Sequence, residues 1–300
     1  MNLPDSDHDL LTRFLLPHAG VRGVHVRLHG SWQELLSHAS YPPAATRLLG
    51  EACAAAAMLT AHVKVEGRLS LQLRADAQLK LLFAECTAAG TVRGIAQLED
   101  GSDAPADLQR LANPVLAITI ENPGLDPREP LRYQSLVELA SGALDEVLED
   151  YFRQSEQLPS RLLLVADGAH ACGLMLQKLP GDEGDDDGFR RIGALFDTLA
   201  STELLALAPA DLIHRLFHEE QPELVGDKAL RFGCSCSAAR VEAMLVSLGA
   251  EEAHAAVQAG DGHARITCEF CGQEYRFDGP HIDRLLRQAA TEAPAGETSH

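Results

Sequence analysis

Apolar and polar residues alternate along much of the first half of the chain. Arg68–Arg74 puts Leu69, Leu71 and Leu73 on one side and Ser70, Gln72 and Arg74 on the other, the period-two pattern of a half-buried strand. Val21–Leu28, Leu79–Cys86, Val92–Leu98, Val115–Glu121, Arg161–Val165 and Ala171–Leu179 are further strand candidates. Helical patterns occupy Ala44–Val63, an Ala/Leu-rich run behind Pro42-Pro43 whose small residues suit close packing, and Glu138–Gln154. Leu10–Leu16 is expected to be a short helix. The series predicts an α+β fold whose N-terminal part is a mixed, largely antiparallel sheet core with packed helices.

The pattern changes at Pro180. Gly181–Gly188 holds five acids and three glycines, a solvated linker or loop that can bury nothing. Short helical patterns follow at Phe189–Ala200, Thr202–Leu207 and Pro209–His218. Ser237–Leu248 is helix-like, with Ser237 placed to cap it. Gly260-Asp261-Gly262 marks a turn before the strand-like His263–Thr267, Tyr275–Phe277 extends a second strand, and Ile282–Ala289 is helical. The expected organisation is a core domain over 1–179, an acidic linker and helical middle domain over 180–229, a small C-terminal module over 230–289 whose cysteine pairs Cys234/Cys236 and Cys268/Cys271 make it a zinc-binding module, and a disordered tail over 290–300.

Composition narrows the function. Hydrophobic content of 46% supports a real core, and 44 acids against 25 bases give a formal charge of -19. With no Lys/Arg block, neither nucleic acid nor an anionic membrane is an expected partner. The acidic N-terminus lacks an apolar signal core, and the apolar run around Ala52–Ala61 is too short to span a bilayer. Of seven cysteines, Cys53, Cys86 and Cys172 stand alone in apolar surroundings and read as buried, inert thiols. This is not a secreted disulfide framework, and a cytoplasmic location fits.

The other four carry the chemistry. Cys234 and Cys236 form Cys-Ser-Cys, and Cys268 and Cys271 form Cys-Glu-Phe-Cys. Two close pairs supply the four soft ligands that tetrahedral Zn²⁺ needs and leave no open position for Lewis-acid catalysis. Each pair can also close on itself as a disulfide, so one site could hold metal when reduced and release it when oxidised. On spacing alone, a permanent structural zinc ribbon is the stronger reading.

The weaker candidates favour bland readings. His214 and His218 share a helix face but lack further ligands. His254, His263 and His281 could substitute as ligands, yet four cysteines suffice. Tyr151, Glu156 and Gln157 fit a helix-to-strand junction better than an active site, and Asp185–Asp187 lacks an EF-hand pattern. There is no P-loop and no Gly-x-Ser-x-Gly nucleophile motif, so the chain carries no enzyme signature. A thiol-disulfide oxidoreductase using Cys268 and Cys271 would need a thioredoxin-like setting that is missing.

Beyond the cysteines, the chain resembles the heat-shock protein 33 family of redox-regulated chaperones almost end to end. The residues that carry this are Val21-Arg22-Gly23, Leu69–Gln72 with Leu79–Leu82, Val92-Arg93-Gly94, Asp150–Pro159, Gly173–Gln177 with Pro180, Thr202–Leu205, Arg215–Glu220, Phe232–Cys236, and Cys268–Gly272 with Tyr275 and Phe277. Ala75-Asp76-Ala77 departs from the family's Gly-Asp-Gly turn, which puts the turn geometry in doubt because alanine disfavours positive φ. The resemblance implies one Zn²⁺ per reduced chain on all four cysteines. It also implies disulfides Cys234–Cys236 and Cys268–Cys271 on oxidation, and an ATP-independent holdase activated by loss of zinc. Implied partners are unfolding polypeptides, a second copy in an oxidised homodimer, and ATP-dependent refolding chaperones. The apolar residues of the middle segment, from Phe189 to Phe217, are expected to bury against the core sheet when reduced and to meet clients when released.

Overall fold

The computed structural model describes residues 9–62, 65–126, 129–181 and 187–292. The N-terminal octapeptide, Val63, the acidic run at 182–186 and tail residues 293–300 lie outside the described residues. The chain divides into two compact units, Met1–Gly233 and Cys234–His300.

The first unit begins with β1 (Leu10–Leu16), β2 (Val21–Leu28), α1 (Gly30–His38) and α2 (Pro43–His62). Strands β3 (Arg68–Asp76), β4 (Leu79–Thr87), β5 (Thr91–Leu98), β6 (Ala112–Asn122) and β7 (Leu131–Val137) follow, then α3 (Leu144–Tyr151), β8 (Ser160–Ala166) and β9 (Ala171–Lys178). Three short helices, α4 (Gly188–Phe196), α5 (Ser201–Ala206) and α6 (Pro209–Phe217), precede β10 (Glu223–Ala229) and β11 (Arg231–Phe232). One sheet has the order β10-β1-β2-β9-β8 and is antiparallel throughout; the other runs β11-β5-β4-β3-β6-β7, with only β11 and β5 parallel.

Helix α2 packs against strands of both sheets. Its central residues Cys53 to Met58 are wholly buried, and alanines let the backbones approach closely. At Gly50 the approach is closest: a Cβ there would lie 2.4 Å from the Cβ of Ala166. The segment α4–α6 covers the other face of the first sheet. Ile192, Phe196, Leu204, Leu212, Ile213 and Phe217 pack with Phe14, Leu16, Val21, Leu174 and Leu176. This is the burial expected for the middle segment. Each such side chain removed from water contributes roughly 1.5–3 kcal/mol.

Two expectations are corrected. Leu10–Leu16 is a strand, because β10 and β2 pair along both of its edges. Its seven residues satisfy helical and strand spacing alike, and pairing decides between them. The helix expected over Glu138–Gln154 starts only at Leu144. Before it, Gly142 is drawn off by the Leu108 N–H, which donates to its carbonyl at 2.8 Å. After it, Phe152–Glu156 widens into a π-helical turn closed by Gln157 at φ 55°. Tyr151 Oη donates to Glu156 at 2.9 Å across this junction. The Ala75-Asp76-Ala77 turn keeps left-handed geometry despite its alanine, with Ala77 at φ 67°.

The second unit holds α7 (Ala238–Leu248), α8 (Ala250–Ala259), β12 (His263–Thr267), β13 (Glu274–Asp278) and α9 (Gly279–Glu292), with β12 and β13 forming an antiparallel hairpin. Among its described residues, the buried apolar core is Leu245, Ala253, Ala264, Phe277 and Ile282. That is little for a unit of this length, so a cross-link has much to contribute.

Candidate metal centre

Local structure positions the two cysteine pairs separately. Ser237 caps α7 by accepting from the Arg240 N–H at 3.3 Å, which leaves Cys234-Ser235-Cys236 at the helix entrance. The Arg240 side chain donates to Ser235 Oγ at 2.6 Å, fixing the residue between the two cysteines. Cys268 and Cys271 sit in the turn joining β12 to β13. There the Cys268 N–H donates to Gln273 O at 2.9 Å and the Gly272 N–H to Cys268 O at 2.8 Å. Gly272 takes φ 66°, a conformation suited to glycine.

Folding brings the pairs together. Cys234 Sγ lies 3.6 Å from Cys268 Sγ, and Cys236 Sγ lies 3.4 Å from Cys271 Sγ. All four sulfurs fall within 4.8 Å of one another, and all four are free and partly exposed. Sulfurs at the ~2.3 Å zinc–thiolate distance of a tetrahedral site would be separated by about 3.8 Å. The donor set therefore fits a tetrahedral metal of soft preference. Electrostatics point the same way. Burial, followed by the three crowding sulfurs, pushes the Cys271 thiol up to about 12. Four thiolates cannot gather here without a cation to hold them.

One neighbour escaped the sequence reading as a functional group. Tyr275 Oη donates to Cys236 Sγ at 3.1 Å. That hydrogen bond, ahead of burial, raises the phenol to about 12. The available signal was the strand alternation, which puts Tyr275 on the same side of β13 as the buried Phe277.

The other candidates stand apart. His254 pairs with Asp283 at 2.8 Å and His281 with Glu242 at 2.9 Å, while His263 is exposed. The His214 and His218 rings meet tilted, with centroids 5.6 Å apart. Among the described residues, only the four cysteines form a cluster able to hold a metal. Cys53, Cys86 and Cys172 are buried, and burial raises each thiol, Cys86 to about 11 and Cys172 to about 12.

An antiparallel α+β unit carrying a helical cover, joined to a small unit built around four cysteines, is the architecture of a chaperone family. The family model described as "Hsp33 protein" matches residues 9–278. The 33 kDa chaperonin of Ectopseudomonas mendocina is 41% identical over 98% of this chain and 100% of its own length. That of Pseudomonas fluorescens is 39% identical over 100% of this chain and 99% of its own. The crystal structure of the 33 kDa chaperonin from Thermotoga maritima covers 95% of this chain and 100% of its own, with TM-score 0.74 at 22% identity, a likeness of fold. The chain belongs to the Hsp33 family.

Proposed function

We propose that this protein is an ATP-independent holdase, kept inactive while Cys234, Cys236, Cys268 and Cys271 hold one Zn²⁺ and switched on when they are oxidised. The observation that carries the reading is the gathering of four sulfurs within 4.8 Å. Bound zinc would keep the thiolates ionised and tie the Cys-Ser-Cys segment to the β12–β13 turn. Such a cross-link contributes roughly 10–16 kcal/mol in small zinc-dependent peptides.

A peroxide-class oxidant takes two electrons from each pair. One thiolate sulfur attacks the peroxide, forming an S–O bond as the O–O bond breaks and the other oxygen leaves as hydroxide. The second thiol then attacks that sulfenic sulfur, closing the S–S bond and releasing water. The reading pairs Cys234 with Cys236 and Cys268 with Cys271. Only sequence neighbours stay close once the module loosens, whereas the shortest reduced contacts run between the pairs. Both disulfide loops are short and restrain little of the chain, so they do not replace the lost cross-link.

The division into core, releasable helical segment and redox module completes the proposal. Loss of the module's fold releases α4–α6, and their apolar faces with the sheet beneath take up unfolding chains. Oxidised copies pair, and clients pass to ATP-dependent chaperones. The reducing cytoplasm keeps the protein silent until stress.

Light scattering from a heat-unfolding client tests this, comparing reduced zinc-loaded protein with peroxide-treated protein and tracking zinc in the same samples. Suppressed aggregation only in the oxidised, zinc-free sample is expected. Equal suppression in both states would leave a constitutive zinc-stabilised binding module instead.

A further inference from the structure

Beneath the helical cover lies a polar row that a thiol switch does not need. Register places Thr12 on β1 opposite His25 on β2, and His25 opposite Leu174 on β9. Alternation sends His25 to the covered face, since Val24 and Val26 belong to the opposite core and Leu174 to the covered one. His25 is 0% exposed, and neither ring nitrogen has a partner; Thr12 Oγ1 beside it has none either. Two residues along, Arg27 Nη1 donates to the Leu205 carbonyl of α5, latching the cover to the sheet.

This row cannot accept a proton while the cover is closed. An imidazolium at position 25 would have no acceptor for either N–H and would sit beside the Arg27 guanidinium. Burial, then Arg27, holds the ring down to about 3. Among the described residues, no other element offers a counter-charge. On β10, Asp227 lies opposite Thr12 but is exposed, and on β8 Arg161 is engaged by Asp197. On the cover, Arg190 pairs with Asp187, Arg191 with Glu220 and Arg215 with Glu203, while Asp211 and His214 are exposed. Once the cover lifts, water reaches the ring and it titrates as an ordinary histidine.

We infer that acidification opens the helical cover by protonating His25, giving this chain a trigger that bypasses its cysteines. The linkage sign follows from a depressed native value. The closed state binds fewer protons, so its advantage is full above about pH 6.5 and is lost as pH falls below it. One histidine that titrates only when exposed raises the open-to-closed ratio about 25-fold between about pH 7 and about pH 5. Client capture by the opened face rests on the holdase reading; opening itself does not.

Hydrogen exchange of residues 188–217, read by mass spectrometry and corrected for intrinsic rates, tests this on the reduced, zinc-loaded full chain. Zinc retention and free thiols are measured in the same samples, because acid also protonates thiolates. Wild type is expected to open about 25-fold more at the lower pH. His25→Leu, an apolar fit beside Leu174, is expected to lose most of that change at equal zinc retention. Parallel opening of the two proteins would overturn the inference. If His25→Leu does not fold, the non-titrating His25→Gln carries the same comparison. Opening without suppression of client aggregation would sustain the trigger and count against the holdase reading.

Discussion

Tyr275 sets one hydroxyl against the sulfur of Cys236, a proposed metal ligand. A hydrogen bond to a ligating sulfur fixes its orientation and draws off electron density, and loss of such outer contacts typically costs 10–100-fold in metal affinity. Tyr275→Phe is expected to hasten zinc transfer to a chromogenic chelator by about tenfold while leaving the fold intact. An unchanged transfer rate would show that the contact does not act on the metal. Ala77 offers a stability test. At φ 67° it occupies a conformation costing an L-residue roughly 1–2 kcal/mol, part of which glycine recovers. Ala77→Gly is expected to stabilise the first unit by about 0.5–1 kcal/mol in urea unfolding, and a destabilised variant would disprove the strain.

Among the elements, α3 works as an edge guard. Strand β8 ends the first sheet, and its outward N–H groups would invite pairing with another chain. Glu149 accepts from the Leu162 N–H at 2.6 Å and Asp145 from the Leu164 N–H at 3.2 Å, so one helix face closes the edge. On α2, burial, against a smaller opposing pull from Arg47, raises the Glu51 carboxyl to about 8, and Asp145 adds a small push. A native value above the unfolded one means that Glu51 favours the fold fully below about pH 4.5 and loses this as pH rises through about 8. Glu51→Gln is expected to flatten the thermal stability profile between those limits. An unaltered profile would mean that another group governs it.

Element by element, the sequence was legible where one face is buried. Leu69, Leu71 and Leu73 announce β3 because their alternation matches burial, whereas β7 went unread because most of Leu131–Val137 is exposed. Helices α1 and α8 and strands β10 and β11 also lacked a clear period. Leu10–Leu16 fits helical and strand periods alike, and one of the two partners that decide the matter, β10, lies far along the chain. The cysteine cluster was plain from spacing. Tyr275 and His25 were not, since their roles depend on which atoms they meet.

For the whole molecule, stability is unevenly shared. The first unit has two extensive cores around its sheets, while the second has a buried core of five apolar residues among those described. Removing metal from the reduced protein with a strong chelator is expected to melt the second unit and leave most first-unit amides protected. Loss of protection through both units in equal measure would contradict the independence of the large core. The excess of acids, -19 formally, favours solubility while apolar surface is exposed.

The helical cover is fastened at both ends. It leaves the first sheet at Lys178, the end of β9, and returns to the same sheet at Glu223, where β10 pairs with β1. Whatever lifts α4–α6 therefore cannot carry them away. A bound client competes with a tethered rival at millimolar effective concentration, far above that of any free polypeptide. On the holdase reading, reversal of the trigger would turn the displaced helices into a built-in eviction device, and release would wait only on a client segment letting go.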